Sequence, residues 1–272
     1  MRLIPLLLLA ACAAPPGAAS PGLVGGLFGD EAILAADILK YGFPGEEHLR
    51  YRSGYILSYD GARRVPRWVA ERLDPSTVTG EVDEEAKRFR PDESLPEAIR
   101  ADHADFLDSG YVRGRLAAAA NHKGDPDAFA ATYLLSNCAP QRGGTFRQTV
   151  WGELERAVRA WAKDCDDLYV VTGTVFQSDP PAREVRYPVI GEGRVAVPTH
   201  YYKVLLRERG GSLDMLAFLV PHVATEEETD LAGYLVPVDD LEARTGLDFF
   251  PALTDPTQAD LEKRRPTEVW KR

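Results

Sequence analysis

The residues whose types and spacing could do chemistry are four arginines and one glutamate. Arg113 and Arg115 flank a single glycine, and Arg147, Trp151, Glu155 and Arg159 step by four along one stretch. A guanidinium stays charged in proteins and presents five N–H donors with no lone-pair acceptor. It can hold a phosphate but cannot take a proton from water. Glu155, four residues before Arg159, is either a carboxylate set among phosphate-holding cations or an ordinary helix-surface pair worth a few tenths of a kcal/mol. His103 and His122 are the nearest histidines in sequence that could act as bases, and His200, inside an aromatic strand pattern, reads as a packed core histidine.

The elements that must position these residues are legible in the pattern. Ser53–Asp60 alternates as a strand, turns at Asp60-Gly61 and pairs back through Pro66–Leu73. Thr77–Glu97 is charged and reads as a surface loop. Tyr111–Ala117 and Thr132–Ala139 read as strands flanking an excursion over Asn121–Phe129. Gln148–Ala162 has helical periodicity, with Val150, Trp151, Leu154, Ala157, Val158 and Trp161 as the core face. That helix would turn Arg147, Glu155 and Arg159 toward one site. Strands follow at Leu168–Phe176, Val185–Ile190, Arg194–Arg207 and Leu213–Pro221, then a last strand near Leu235 and a helix starting near Asp239. Glu31–Leu39 has the periodicity of a short helix.

Three stretches carry a family likeness: Gly110-Tyr-Val-Arg-Gly-Arg-Leu-Ala-Ala-Ala-Ala-Asn-His122, Tyr133-Leu-Leu-Ser-Asn-Cys-Ala-Pro-Gln141 and Phe146-Arg-Gln-Thr-Val-Trp-Gly-Glu-Leu-Glu155. Together with Val197-Pro-Thr-His-Tyr-Tyr-Lys-Val204, they resemble the DNA/RNA non-specific endonuclease family in its endonuclease G-like branch. The resemblance implies an α+β, ββα-metal (His-Me finger) nuclease-like fold with a mostly antiparallel central sheet and a ββα unit over residues 110–162. In that family a histidine after Asp-Arg-Gly is the general base and an asparagine opening the helix binds the metal through its carbonyl oxygen. Those positions hold Arg115 and Arg147 here, and the motif's aspartate is Val112. Arg113 matches the motif arginine, Asn137 a residue supporting the site, Glu155 the acid that holds a metal-bound water, and Arg159 the phosphate-holding arginine. Arg88 or Arg90 could supply a substrate-facing cation, against the alternative of a solvated charge run. His122 matches a histidine that active relatives carry besides the catalytic one. Arg113, Arg115, Arg147 and Arg159 are expected to meet around Glu155.

The chain has 272 residues, 44% apolar and 27% charged, with a net charge of −10. That excludes a disordered chain, and it means that any nucleic-acid contact rests on a local basic patch. Residues 1–11 read as a signal peptide ending at a lipobox, Leu9-Ala10-Ala11-Cys12, with Cys12 the lipidation site; an ordinary cleaved signal is the alternative. Residues 12–37 read as a flexible tether, 38–255 as one domain and 256–272 as a C-terminal tail without a core of its own. The implied location is the cell envelope, lipid-anchored or periplasmic. In such an oxidising compartment Cys138 and Cys165 either pair or remain thiols.

Three functions stay open. The first is a nuclease-fold domain that binds phosphate or nucleic acid weakly without cutting it. The second is a structural or protein-interaction module of the envelope. The third is an endonuclease active by a modified mechanism. No cofactor is expected, with Mg²⁺ required only if activity is retained. Expected partners are nucleic acid or phosphate and the membrane, and the resemblance adds a homodimer as an option.

Overall fold

The computed structural model describes residues 29–82, 88–178, 184–224 and 230–271. The signal segment, Cys12 and most of the tether lie outside the described residues. Helix α1 (Asp30–Ile38) precedes three strands, β1 (Leu49–Arg52), β2 (Tyr55–Asp60) and β3 (Val65–Leu73). A single turn of helix, α2 (His103–Phe106), leads to β4 (Val112–Arg115). Then come α3 (Pro126–Ala131), β5 (Cys138–Gln141), α4 (Val150–Ala162) and β6 (Asp167–Val175). The short β7 (Val189–Ile190) and β8 (Val195–Ala196) are followed by the long hairpin β9 (His200–Arg209) and β10 (Ser212–Pro221). The chain closes with β11 (Leu235–Val236), α5 (Val238–Thr245) and α6 (Asp255–Glu262).

Seven strands make one sheet in the order β1-β2-β3-β6-β9-β10-β11, and every neighbouring pair is antiparallel. β6 is rich in apolar and β-branched residues and buried over most of its length because both of its faces are covered. On one face α4 lays Trp151, Leu154, Val158 and Trp161 against Leu57, Val69, Val170, Tyr201 and Phe218. On the other, α1, α5 and α6 cover Ile56, Trp68, Tyr169, Tyr202, Val204 and Met215. Each such aliphatic or aromatic side chain contributes roughly 1.5–3 kcal/mol when buried.

Several boundaries differ from those read in the sequence. The domain starts at α1, not at residue 38: Ala35, Ile38 and Leu39 are buried in the second core, so residues 30–37 are not tether. The segment 256–272 is not a loose tail either. Leu261 and Trp270 are buried, and the Trp161 indole donates to the Trp270 carbonyl at 2.9 Å. A lone tryptophan past a polar stretch has no local periodicity to announce its packing. Residues 132–137 form turns rather than a strand, and β4 stops at Arg115. Only residues 189–190 of the expected strand 185–190 pair. Cys138 and Cys165 are both free thiols. Among the described residues no helix is long and apolar enough to cross a membrane.

Candidate active site and anion-binding face

β4 and β5 form a two-stranded ribbon with Val112 opposite Gln141, Arg113 opposite Pro140, Gly114 opposite Ala139 and Arg115 opposite Cys138. The period of two puts Arg113 and Arg115 on one face. Gly114, on the other, admits no side chain: a Cβ there would lie 2.1 Å from the Gln141 side chain, which is buried. Asn137, just before β5, is fully buried. Its Oδ1 accepts from Ala117 N–H at 2.9 Å, and its Nδ2 donates to the carbonyls of Ala117 and Thr132 at 3.0 and 2.9 Å. All of these bonds go to backbone, so Asn137 clamps the chain that leaves β4.

The two ribbon arginines lie among aromatic rings. Arg113 sits 5.3 Å from the ring centre of Phe106 and 5.6 Å from that of Phe89; Arg115 lies 5.8 Å from Phe89 and 4.4 Å from Tyr133. The order Phe106, Arg113, Phe89, Arg115, Tyr133 alternates ring and cation, each contact worth about 0.5–2 kcal/mol. Arg113 also donates to the His103 carbonyl at 3.2 Å. Arg113 Nε and Arg115 Nη1 are buried without a hydrogen-bond partner among the described residues. Phe106 is delivered by α2, whose Asp105 takes the Gly193 N–H at 2.7 Å. Gly193 is required there because a Cβ would meet the Asp105 carboxylate at 2.4 Å. Arg88 and Arg90 are exposed, and Phe89 between them is the residue that joins the stack.

Arg147 is not on α4. A wide turn over residues 143–147 carries it, with Arg147 N–H bonded to the Arg142 carbonyl at 3.0 Å, and α4 begins three residues later. The step of four through 147, 151, 155 and 159 therefore fails at its first member. His222, with no signal in the sequence, fixes this turn: its Nε2 accepts the Arg142 N–H at 2.9 Å and its Nδ1–H donates to the Pro198 carbonyl at 2.9 Å. Burial pushes its pKa down to about 4, so the imidazole is neutral.

The interactions sort the four arginines into two groups. Arg115, Arg113 and Arg147 share a neighbourhood around the Cys138 thiol, which burial pushes up to about 12 against the opposing pull of those three charges. Arg159 belongs to the second group. Its Nη1 reaches Asn121 Oδ1 at 3.4 Å, burial pushes its pKa down, and Glu155 and Glu71 pull it back. Glu71, fully buried on β3, accepts from Asn121 Nδ2 at 3.1 Å and from His122 Nε2–H at 2.9 Å. Lys203, fully buried on β9, donates to Thr172 Oγ1 at 2.7 Å and lies over the Trp151 ring. Burial lowers its pKa, with Glu71 the leading opposing charge. Glu71 and Lys203 are the residues that motif reading missed; the only cue was a charged residue at an inward position of an apolar strand.

His122 is buried against Glu71, His103 is exposed on α2, and His200 is buried beside Thr199, as a packed histidine should be. The donor set suits a divalent cation poorly. Arg147 presents guanidinium nitrogens where the resemblance calls for an amide oxygen, and the Asn137 amide is spent on the backbone. Among the described residues, the one group of three acidic ligands close enough to hold a metal is Asp239, Glu242 and Glu262, away from this face on α5 and α6.

Comparison with known proteins agrees with this fold. Human mitochondrial endonuclease G is 39% identical over 219 residues, covering 79% of this chain and 73% of that protein. The nuclease of Syncephalastrum racemosum is 37% identical over 251 residues, covering 88% and 78%. The crystal structure of the EndoG/EndoGI complex, a study of EndoG inhibition, matches with a TM-score of 0.77 and 39% identity, covering 80% of this chain and 92% of that one. The antiparallel sheet with a ββα unit is thus the ββα-metal nuclease fold. A family profile for DNA/RNA non-specific endonucleases spans residues 34–255, and with that span and these relatives the chain belongs to the DNA/RNA non-specific endonuclease family.

Proposed function

We propose that this domain binds phosphate groups, free or along a nucleic-acid backbone, weakly and without hydrolysing them, on an exported protein anchored through Cys12. The observation that carries the reading is the pair Arg115 and Arg147, standing at the general-base and metal-ligand positions of the family. A guanidinium has no lone pair with which to deprotonate water. A second positive charge in place of an amide oxygen repels Mg²⁺, so no divalent metal is expected at this face. What remains is a cationic surface. Arg113, Arg115 and Arg147 present N–H donors around the ribbon, and Arg159 presents its own beside Glu155. Each can hold phosphate oxygens by charge-assisted hydrogen bonds.

The net charge of −10 favours a second reading, a protein-interaction module with no nucleic-acid role; EndoG itself forms a complex with EndoGI. Two measurements separate these from a surviving enzyme. Fluorescence anisotropy with a short single-stranded oligonucleotide should detect binding at low salt that weakens steeply as salt rises. A plasmid and RNA cleavage assay with Mg²⁺ and Mn²⁺ should give no product. Absence of binding at low salt hands the case to the interaction module. Cleavage that Glu155→Ala abolishes would mean an active enzyme. For the anchor, the full chain should partition into detergent, and Cys12→Ser should release it.

A further inference from the structure

A second cationic site lies at the start of β3, away from the arginines of the β4–β5 ribbon and α4. A cleft of about 150 Å³ there is lined by Arg63, Arg67 and Arg244, with Asp60, Thr174 and Phe176 among its walls. Segments far apart in sequence build it: the β2–β3 turn and the start of β3 supply Arg63 and Arg67, the last turn of α5 supplies Arg244, and the end of β6 lines the cleft. On a chain with net charge −10, three arginines around one small opening are a local reversal of sign.

The cleft is built rather than incidental. Asp60 caps the turn by accepting from Ala62 and Arg63 N–H at 3.0 Å each, and its other oxygen takes Arg63 Nη1 at 2.7 Å. The same guanidinium lies 4.9 Å over the Phe176 ring, and its Nε is buried with no hydrogen-bond partner among the described residues. Arg244 is held by Gln177 Oε1 at 3.0 Å. Arg67 pairs with Glu47, whose side chain is 70% exposed, so that pair is worth little and yields readily to another anion. Asp60 is spent on Arg63 and its own turn, and the Thr174 hydroxyl donates to the Pro66 carbonyl at 2.9 Å. The donors left to face a ligand are guanidinium N–H groups, which match a tetrahedral oxyanion in geometry and charge. The volume suits one such group with its waters, leaving the body of any larger ligand outside.

We propose that the Arg63–Arg67–Arg244 cleft is a second oxyanion site that takes a single phosphate group, either the free ion or the terminal phosphate of a nucleotide. The site goes beyond the function proposed above and does not depend on it.

Isothermal titration of the full chain at low salt with inorganic phosphate and with a nucleoside 5′-monophosphate tests it. Arg67→Gln/Arg244→Gln removes one partly exposed and one exposed donor, leaves the Asp60 turn intact, and should leave the melting temperature nearly unchanged. In an Arg115→Gln/Arg147→Gln background phosphate should still bind, and adding Arg67→Gln/Arg244→Gln should weaken it about tenfold or more. The amide resonances of Thr174 and Gln177 should shift on titration only when Arg67 and Arg244 are present. A nucleotide binding more tightly than inorganic phosphate assigns the terminal phosphate; equal affinities assign the free ion. Phosphate binding that survives loss of Arg67 and Arg244 unchanged, or that is undetectable in the Arg115→Gln/Arg147→Gln background, overturns the second site. Oligonucleotide binding lost with Arg115 and Arg147 alone would still support the first.

Discussion

The Arg115 guanidinium lies 4.4 Å from the ring centre of Tyr133, and Tyr133 is 6% exposed. A residue at the position of a catalytic base is thereby part of the packing. Arg115→His should not restore nuclease activity, alone or with Arg147→Asn. The shorter imidazole leaves the space between Phe89 and Tyr133 unfilled, and although Arg147→Asn supplies an amide oxygen, Val112 still stands where the family motif has its aspartate. The double variant should show no cleavage of plasmid with Mg²⁺ and should melt below the parent. Restored cleavage would sink the idea that the stack fixes this site.

Truncating the ring tests the stack from its other side. Tyr133→Ala should cost about 3–5 kcal/mol in urea denaturation, the range for removing a buried aromatic. Tyr133→Phe should be nearly neutral, because the contact with Arg115 uses the ring face.

Glu71 holds the second group together. Glu71→Ala leaves the Asn121 amide and the His122 N–H without their acceptor and deprives buried Lys203 of its leading opposing charge. The expected loss is about 3–5 kcal/mol, as for breaking a buried charged network from one side. Glu71→Gln, which keeps an acceptor oxygen, should cost less. A chemical denaturation curve for Glu71→Ala that overlays the parent would show the network to be idle.

Two groups shape the pH profile with opposite signs. Burial pushes the Glu242 carboxyl up to about 7, so folding favours its protonated form; stability falls as pH rises from about 4.5 to 7. His222, held neutral with a pKa of about 4, works the other way: below about pH 6.5 the unfolded chain takes up a proton that the fold resists, so stability falls as pH drops toward 4. Glu242 is partly exposed, and screening should leave its effect on the order of 1 kcal/mol. Melting temperatures from pH 4 to 8 should show the loss between pH 4.5 and 7 removed in Glu242→Gln and the loss from pH 6.5 toward 4 removed in His222→Gln.

The C-terminal segment should behave as core. Trp270 accepts from the Trp161 indole through its carbonyl, donates to Asp214 at 2.7 Å and stacks under Arg207 at 4.1 Å. Trp270→Ala is expected to cost roughly 3 kcal/mol or more by thermal unfolding; a change below 0.5 kcal/mol would make the segment the loose tail that its composition suggests.

The sequence by itself determined the elements whose signal is local. The buried face of α4, the β2–β3 hairpin and the β9–β10 pairing follow from periodicities of 3.6 and 2, and every position on the expected α4 face is buried. The replacements at Arg115 and Arg147 are also local, since they are a matter of which residue follows which. Tertiary structure decided how those arginines are held. Phe89, Phe106 and Tyr133 come from separate loops and turns, and no pattern in any of them says that they will sandwich two guanidiniums from β4. Glu71 meets Asn121 and His122 across some fifty residues of chain. Arg147 left the α4 face because a wide turn intervened, anchored by His222 from the end of β10. Periodicity reports which side of an element faces the core; which distant side chain meets it there depends on close packing, and close packing is set only once the sheet and its covering helices are assembled.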